Sequence, residues 1–173
     1  MKKLLTLTLL TTTLFFTGCG AESSKSSQTK NNSSLSRQLV KTQTYEIIAE
    51  DKYPASYEEY SNENSTVTTY HSDVKENVEN FKISYKSLTG KEYKDDFNGT
   101  MIIAKAGVKS NSSYKIRVEN IEDGGRYTNI YLSVVQTKGC MTSQTLTSPY
   151  TIAFVPNHKD VKFFIKDEVV ECK

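Results

Sequence analysis

The chain has no tryptophan, two histidines and three cysteines. It also has no apolar run of membrane-spanning length. Each shortage closes off a class of function. His71 and His158 stand apart, each in a polar stretch, whereas a zinc or catalytic site needs a ligand cluster or a base with an orienting partner. Both read as surface histidines, and no metal or cofactor is expected. Serines abound, yet no Gly-x-Ser-x-Gly elbow occurs. Gly124-Gly125 is not followed by a helix start, so it reads as a turn rather than a phosphate cradle. Net charge is scarce as well. The 22 basic and 20 acidic side chains leave a formal +2, which excludes the broad basic field of a nucleic-acid binder. No enzyme is expected.

What is present begins at the N-terminus. Met1-Lys2-Lys3 is basic, and Leu4 to Phe16 carries no charge. A stretch of that length is shorter than the roughly 20 residues that a membrane-spanning helix needs. With the small residues Thr17 and Gly18 it has the layout of a signal peptide. Phe16-Thr17-Gly18-Cys19 resembles the lipobox of bacterial lipoproteins, with Phe16 where that pattern usually has Leu. The resemblance implies removal of residues 1–18 and acylation of Cys19. Two or three buried acyl chains, at about 0.8 kcal/mol per CH₂, make a durable anchor. Gly20, rather than Asp, after the cysteine favours the outer membrane. The expected location is the cell envelope, with the folded part outside the cytoplasm. Losing Lys2 and Lys3 with the leader brings the formal charge of the mature chain to zero.

Residues 19–42 are rich in Ser, Asn and Lys and poor in apolar side chains, so they cannot bury enough surface to offset their ordering entropy. They read as a disordered tether, spanning about 25 Å on average for a chain of that length. Residues 43–173 form the single expected domain. With Cys19 acylated, Cys140 and Cys172 remain. In an exported protein an even pair reads as a disulfide, although spacing alone leaves two free thiols as the alternative.

The domain reads as α+β, mainly β. Strands are expected at 45–50, 100–104, 114–121, 127–136, 150–155, 161–165 and 168–171. Tyr114 to Ile121 alternates apolar and charged residues, so one of its faces should meet water. With residues 127–136 it forms an antiparallel hairpin around residues 122–125. Ser56 to Tyr60 suits a short helical turn. One amphipathic helix is expected over 73–88, where Val74, Val78, Phe81, Tyr85 and Leu88 recur at three- and four-residue steps. Asp73 with Glu76, or Ser72 alone, suits its N-cap, and Gly90 its stop. The expected architecture is one antiparallel sheet curled into a small sandwich or partial barrel, with the helix packed on it.

Several segments occur in a telling order. Asp96-Phe97 precedes a hydrophobic strand, and Gly107-Val108-Lys109 leads to Ser113-Tyr114-Lys115-Ile116. After the hairpin come Gly139-Cys140-Met141-Thr142 and Thr145-Leu146-Thr147-Ser148-Pro149-Tyr150. Over roughly residues 96–165 this resembles the PrcB C-terminal domain of bacterial envelope lipoproteins. The namesake is a partner subunit that stabilises a surface serine protease complex. The family commonly has Gly-Tyr where this chain has Ser113-Tyr114, and Gly permits backbone conformations that Ser resists.

Ser113, Tyr114, Pro149 and Tyr150 are the candidate binding residues, since a Tyr at a loop-to-strand junction suits a partner surface. The competing reading has both tyrosines capping the core. Asp95-Asp96 reads as a turn rather than a catalytic pair. Asp96-Phe97-Asn98-Gly99-Thr100 resembles an acidic N-glycosylation sequon, yet Asn98-Gly99 is also an ordinary turn dipeptide. The expected function is a lipid-anchored envelope binding module, an accessory or scaffold subunit for another exported protein such as a protease. A chagasin-like protease inhibitor and a structural envelope lipoprotein are the alternatives.

Overall fold

The structure is a computed structural model, and it describes residues 41–172. The expected signal peptide (residues 1–18), Cys19 and all but the last two residues of the expected tether lie outside that range. Lys41 and Thr42 already form a strand, β1 (Lys41–Thr42).

The order continues as β2 (Glu46–Asp51), α1 (Tyr57–Ser61), β3 (Thr66–His71), α2 (Lys75–Thr89), β4 (Thr100–Lys105), β5 (Tyr114–Asp123), β6 (Tyr127–Lys138), β7 (Tyr150–Val155) and β8 (Asp160–Glu171). The mainly-β, α+β reading holds. The strands form two four-stranded sheets rather than one, in the orders β1-β5-β6-β8 and β2-β7-β4-β3.

Alternation of side chains across the strands explains how the layers stack. From the central strand β4, Ile102 and Ala104 pack against Ile116 and Ile121 of β5 and Ile130, Leu132 and Val134 of β6. That contact is the sandwich core. On the other face, Met101 and Ile103 join Tyr150 and Ile152 of β7 beneath Phe81 and Leu88 of α2. The β2-β7-β4-β3 sheet is therefore the middle layer, covered on both sides, and this is why residues 100–104 read as an unbroken apolar run. Each fully buried Leu, Ile or Phe contributes about 1.5–3 kcal/mol.

The helix stops where expected. Gly90 takes a left-handed φ of 71° and its N–H bonds the Lys86 carbonyl, a C-terminal closure that glycine favours. The start differs. Val74 is the N-cap and supplies no side-chain bond, so neither Asp73 nor Ser72 caps the helix. Ser72 is engaged elsewhere, as described below. Ser56 does cap α1, its hydroxyl accepting from the Glu59 N–H at 3.3 Å.

β3 falls in a stretch whose polar composition hid it. Thr66 to His71 pairs antiparallel with β4, so tertiary pairing outweighs composition there. β8 is one strand of 12 residues rather than two short ones, and it pairs parallel to β6. The chain leaves the outer sheet after β6, runs through β7 in the middle layer and returns at the outer edge. β8 thus returns heading the same way as β6.

Candidate functional site

Ser113, Tyr114, Pro149 and Tyr150 come together at one end of the sandwich, but not as a presented surface. Lys109 bridges Thr147, Ser112 N–H donates to the Ser143 carbonyl at 3.0 Å, and the Thr147 hydroxyl donates to the Asn111 carbonyl at 2.9 Å. These bonds zip the loop 106–113 against the loop 139–149. Lys52 adds a third strand end, its ammonium donating to the Ser112 carbonyl at 2.6 Å. Ser113 is buried, and both its N–H and its hydroxyl bond the Asn111 side-chain oxygen. The Pro149 carbonyl accepts from Ala106 N–H at 2.8 Å.

The two tyrosines part company. Tyr150 is 4% exposed and packs among Phe81, Met101 and Ile103 under α2. Burial pushes its hydroxyl up to about 12, with Asp51 adding to the shift. It is a core residue. Tyr114 is half-buried against the sandwich core, with the Lys109 ammonium 5.8 Å from its ring centre. An inhibitor that presents both tyrosines on loops is not supported by this placement. What the loop end does expose is Tyr57, Met141 and Leu146. The Tyr60 hydroxyl bonds the Leu146 carbonyl, which ties α1 to that loop.

The two histidines do not stand alone in space. β3 ends, β4 begins and β7 ends on the same edge of the middle sheet, with His71 opposite Thr100 and Thr100 opposite Val155. There the Thr100 hydroxyl donates to the Asn157 carbonyl at 2.6 Å, which leaves it to accept from His71 Nδ1 at 3.0 Å. Ser72 Oγ accepts from the Gly99 N–H and lies 2.8 Å from His158 Nε2. Among the described residues no carboxylate bonds either imidazole, so the Ser72–His158 pair lacks an orienting group and reads as a clasp holding three chain ends. Thr100 is 1% exposed, so the hydroxyl of the Asn98-Gly99-Thr100 sequon is withdrawn into the folded domain.

A cleft of about 840 Å³ lies elsewhere, between β2, the end of α2 and the loop 92–98. Its wall is aromatic. Phe81 meets Tyr93 edge-on at 5.0 Å and Phe97 at 5.4 Å, and Tyr85 meets Tyr93 at 5.1 Å. Such edge-to-face packing holds rings rigidly. Carboxylates of Glu46, Asp95 and Asp96 line the opening against Lys94, while Glu92 is paired with Lys86 at 2.5 Å. Burial raises the Tyr93 hydroxyl, and Asp95 adds to it. Aromatic rings together with carboxylates suit a cationic group rather than an anion. Asp95 and Asp96, expected as a plain turn, thus also border this cleft. The cleft draws on segments some hundred residues apart, which is why no motif announced it. The nearest signal in the sequence was the spacing of Tyr85, Tyr93 and Phe97 around the helix end.

The outer face of the β1-β5-β6-β8 sheet carries an ion-pair cluster beside the stacked rings of Tyr131 and Phe164. A bulge at Glu119 in β5 lets its carboxylate reach Ser133 and Arg117, and Arg117 also meets Glu168 of β8. Hydrogen bonds from Ser133 and then Arg117 lower the Glu119 carboxyl below its ordinary range. Cys140 and Cys172 form a disulfide at the ends of β6 and β8. Among the described residues no helix is long and apolar enough to cross a membrane.

The PrcB C-terminal family model matches residues 100–156, from β4 through β7. This supports the resemblance read from the sequence, over a narrower span that covers about a third of the 173-residue chain. No curated protein and no solved structure matches the chain.

Proposed function

We propose that this protein is a lipid-anchored module of the bacterial envelope that acts as an accessory or scaffold subunit for another exported protein, such as a protease, and not as an enzyme. The match of residues 100–156 to the PrcB C-terminal family carries the reading, because it associates this domain with a protease-complex subunit. Two further features support it. Residues 1–19 have the layout of an acylated leader, with Cys19 as the attachment point. The Cys140–Cys172 disulfide suits an oxidising compartment outside the cytoplasm. The outer membrane is the favoured location.

The partner contact is assigned to the aromatic cleft and to the exposed side chains of the loop end. The cleft offers rigid rings beneath carboxylates, and the loop end offers Tyr57, Met141 and Leu146. Aromatic and methionine side chains are enriched where partners dock.

The test is to express the full-length protein in its native host, crosslink intact cells and identify what remains bound after detergent extraction. An exported protease recovered at near-stoichiometric yield supports the reading. Recovery of this protein alone removes it. A Cys19→Ala variant recovered in the soluble fraction supports the anchor, while one that stays in the membrane removes that part of the reading.

A further inference from the structure

Sheet edges are templates for pairing, and natural proteins protect them with short strands, prolines, bulges or inward charges. Apart from β8, the other three sheet edges here are shorter or interrupted. β1 is two residues long, β2 carries a bulge between Ile47 and Ala49, and β3 has six residues. β8 runs for 12 residues without a proline, its register with β6 is unbroken, and among the described residues no strand pairs with its outer side.

The side chains of β8 add to the exposure. Residues sharing a face with Leu132 and Val134 of β6 should be buried like them, and Val161 and Phe163 do pack on the core. Ile165 and Val169 lie on that same face by register, yet are 47% and 55% exposed. The strand overhangs the middle sheet there. On the opposite face Phe164 is 47% exposed and stacks on Tyr131 at 5.0 Å.

We infer that the edge of β8, unpaired among the described residues, pairs antiparallel with β8 of a second copy of this chain, joining two outer sheets into one continuous sheet. The strand is self-complementary in charge and in apolarity. In the register centred on Asp167, a two-fold axis perpendicular to the sheet sets Lys166 opposite Glu168, Ile165 opposite Val169 and Phe164 opposite Val170, each pair occurring twice. Matched pairs of this kind are the unit of sheet stabilisation. The face-preserving registers on either side oppose Lys166 to itself or Glu168 to itself. The chosen register has two poor contacts, Asp167 against its own mate and Phe163 against Glu171. The inference is independent of the accessory-subunit reading, because it needs no second protein.

That self-contact supplies the test. Directly opposed residues in an antiparallel ladder have Cα atoms about 4.5–5.5 Å apart, within reach of a disulfide. Full-length protein carrying Asp167→Cys, oxidised mildly in membranes, should give a covalent dimer on a non-reducing gel. Phe164→Cys should not, because its mate would lie about 20 Å along the strand. Equal crosslinking at both positions, or none at residue 167, overturns the proposal, as does a residue 167 adduct to a different protein. A second measurement does not depend on cysteine. In mild detergent the native protein should sediment as a dimer, Lys166→Glu and Glu168→Lys each as a monomer, and a mixture of the two variants as a heterodimer. Two monomeric variants that stay apart on mixing, or variants that remain dimers, also overturn it.

Discussion

Cys140 and Cys172, 32 positions apart in the chain, lie 5.3 Å apart at Cα, because β6 and β8 run parallel and finish together. Lys138 is opposite Glu171 in the register, and each cysteine follows within two residues. Had β8 run antiparallel to β6, the two sulfurs would stand at opposite ends of a 12-residue ladder, about 40 Å apart. The disulfide thus depends on the strand order, and it pins the edge strand that closes the domain.

Replacing both cysteines by serine should lower stability by about 3–4 kcal/mol on the chain-entropy account of a loop of this length. Urea unfolding of the oxidised native protein and the double variant measures it. A difference under about 1 kcal/mol would show that the outer sheet holds β8 without the bond.

Tyr150 carries an alkaline prediction. Its hydroxyl is raised from about 10 to about 12 in the folded state by burial, so the folded state favours the neutral phenol. The associated stability is fully present below pH about 10 and is lost as pH rises through about 12. Tyr150→Phe should flatten the fall in stability across that window. Denaturation midpoints at pH 8, 10 and 11 for both proteins give the comparison, and an unchanged slope would place the alkaline sensitivity in other groups.

Gly107 holds the start of the loop 106–113 at φ +70°, and a Cβ there would come 2.4 Å from the Glu63 carbonyl oxygen. Gly107→Ala therefore meets both a left-handed backbone and a backbone collision. A loss of about 2 kcal/mol or more in thermal or urea unfolding is expected. A neutral result would mean that the 62–65 segment moves aside freely.

Partner retention should separate the cleft from the core. Asp95→Ala combined with Asp96→Ala removes two exposed carboxylates and should leave unfolding unchanged within about 0.5 kcal/mol. It should cut recovery of the crosslinked partner several-fold. Tyr150→Ala should cut recovery only by unfolding the domain. If the double aspartate variant retains its partner fully, the contact lies at Tyr57, Met141 and Leu146 instead.

Local chemistry was legible in the chain itself. The apolar steps from Val78 to Leu88 and the glycine at position 90 specified a helix and its end. The alternation from Tyr114 to Ile121 specified a half-exposed strand, and the segments between Asp96 and Tyr150 carried a recognisable family pattern. These are short-range signals, written within ten or fifteen residues. Tertiary structure decided everything that depended on which distant segments meet. It split the strands into two sheets, because β4 needed cover on both faces. It sent Tyr150 under α2 and left Tyr114 at the rim, because their strands begin in different layers. It took Ser72 from the helix start to His158, 86 residues away. It set β8 parallel to β6, which joined Cys140 to Cys172 and put a 12-residue strand at the sheet's edge among the described residues. Residue identity sets periodicity and turn chemistry, but the partner of a strand or a side chain is chosen by burial and hydrogen bonding across the whole fold.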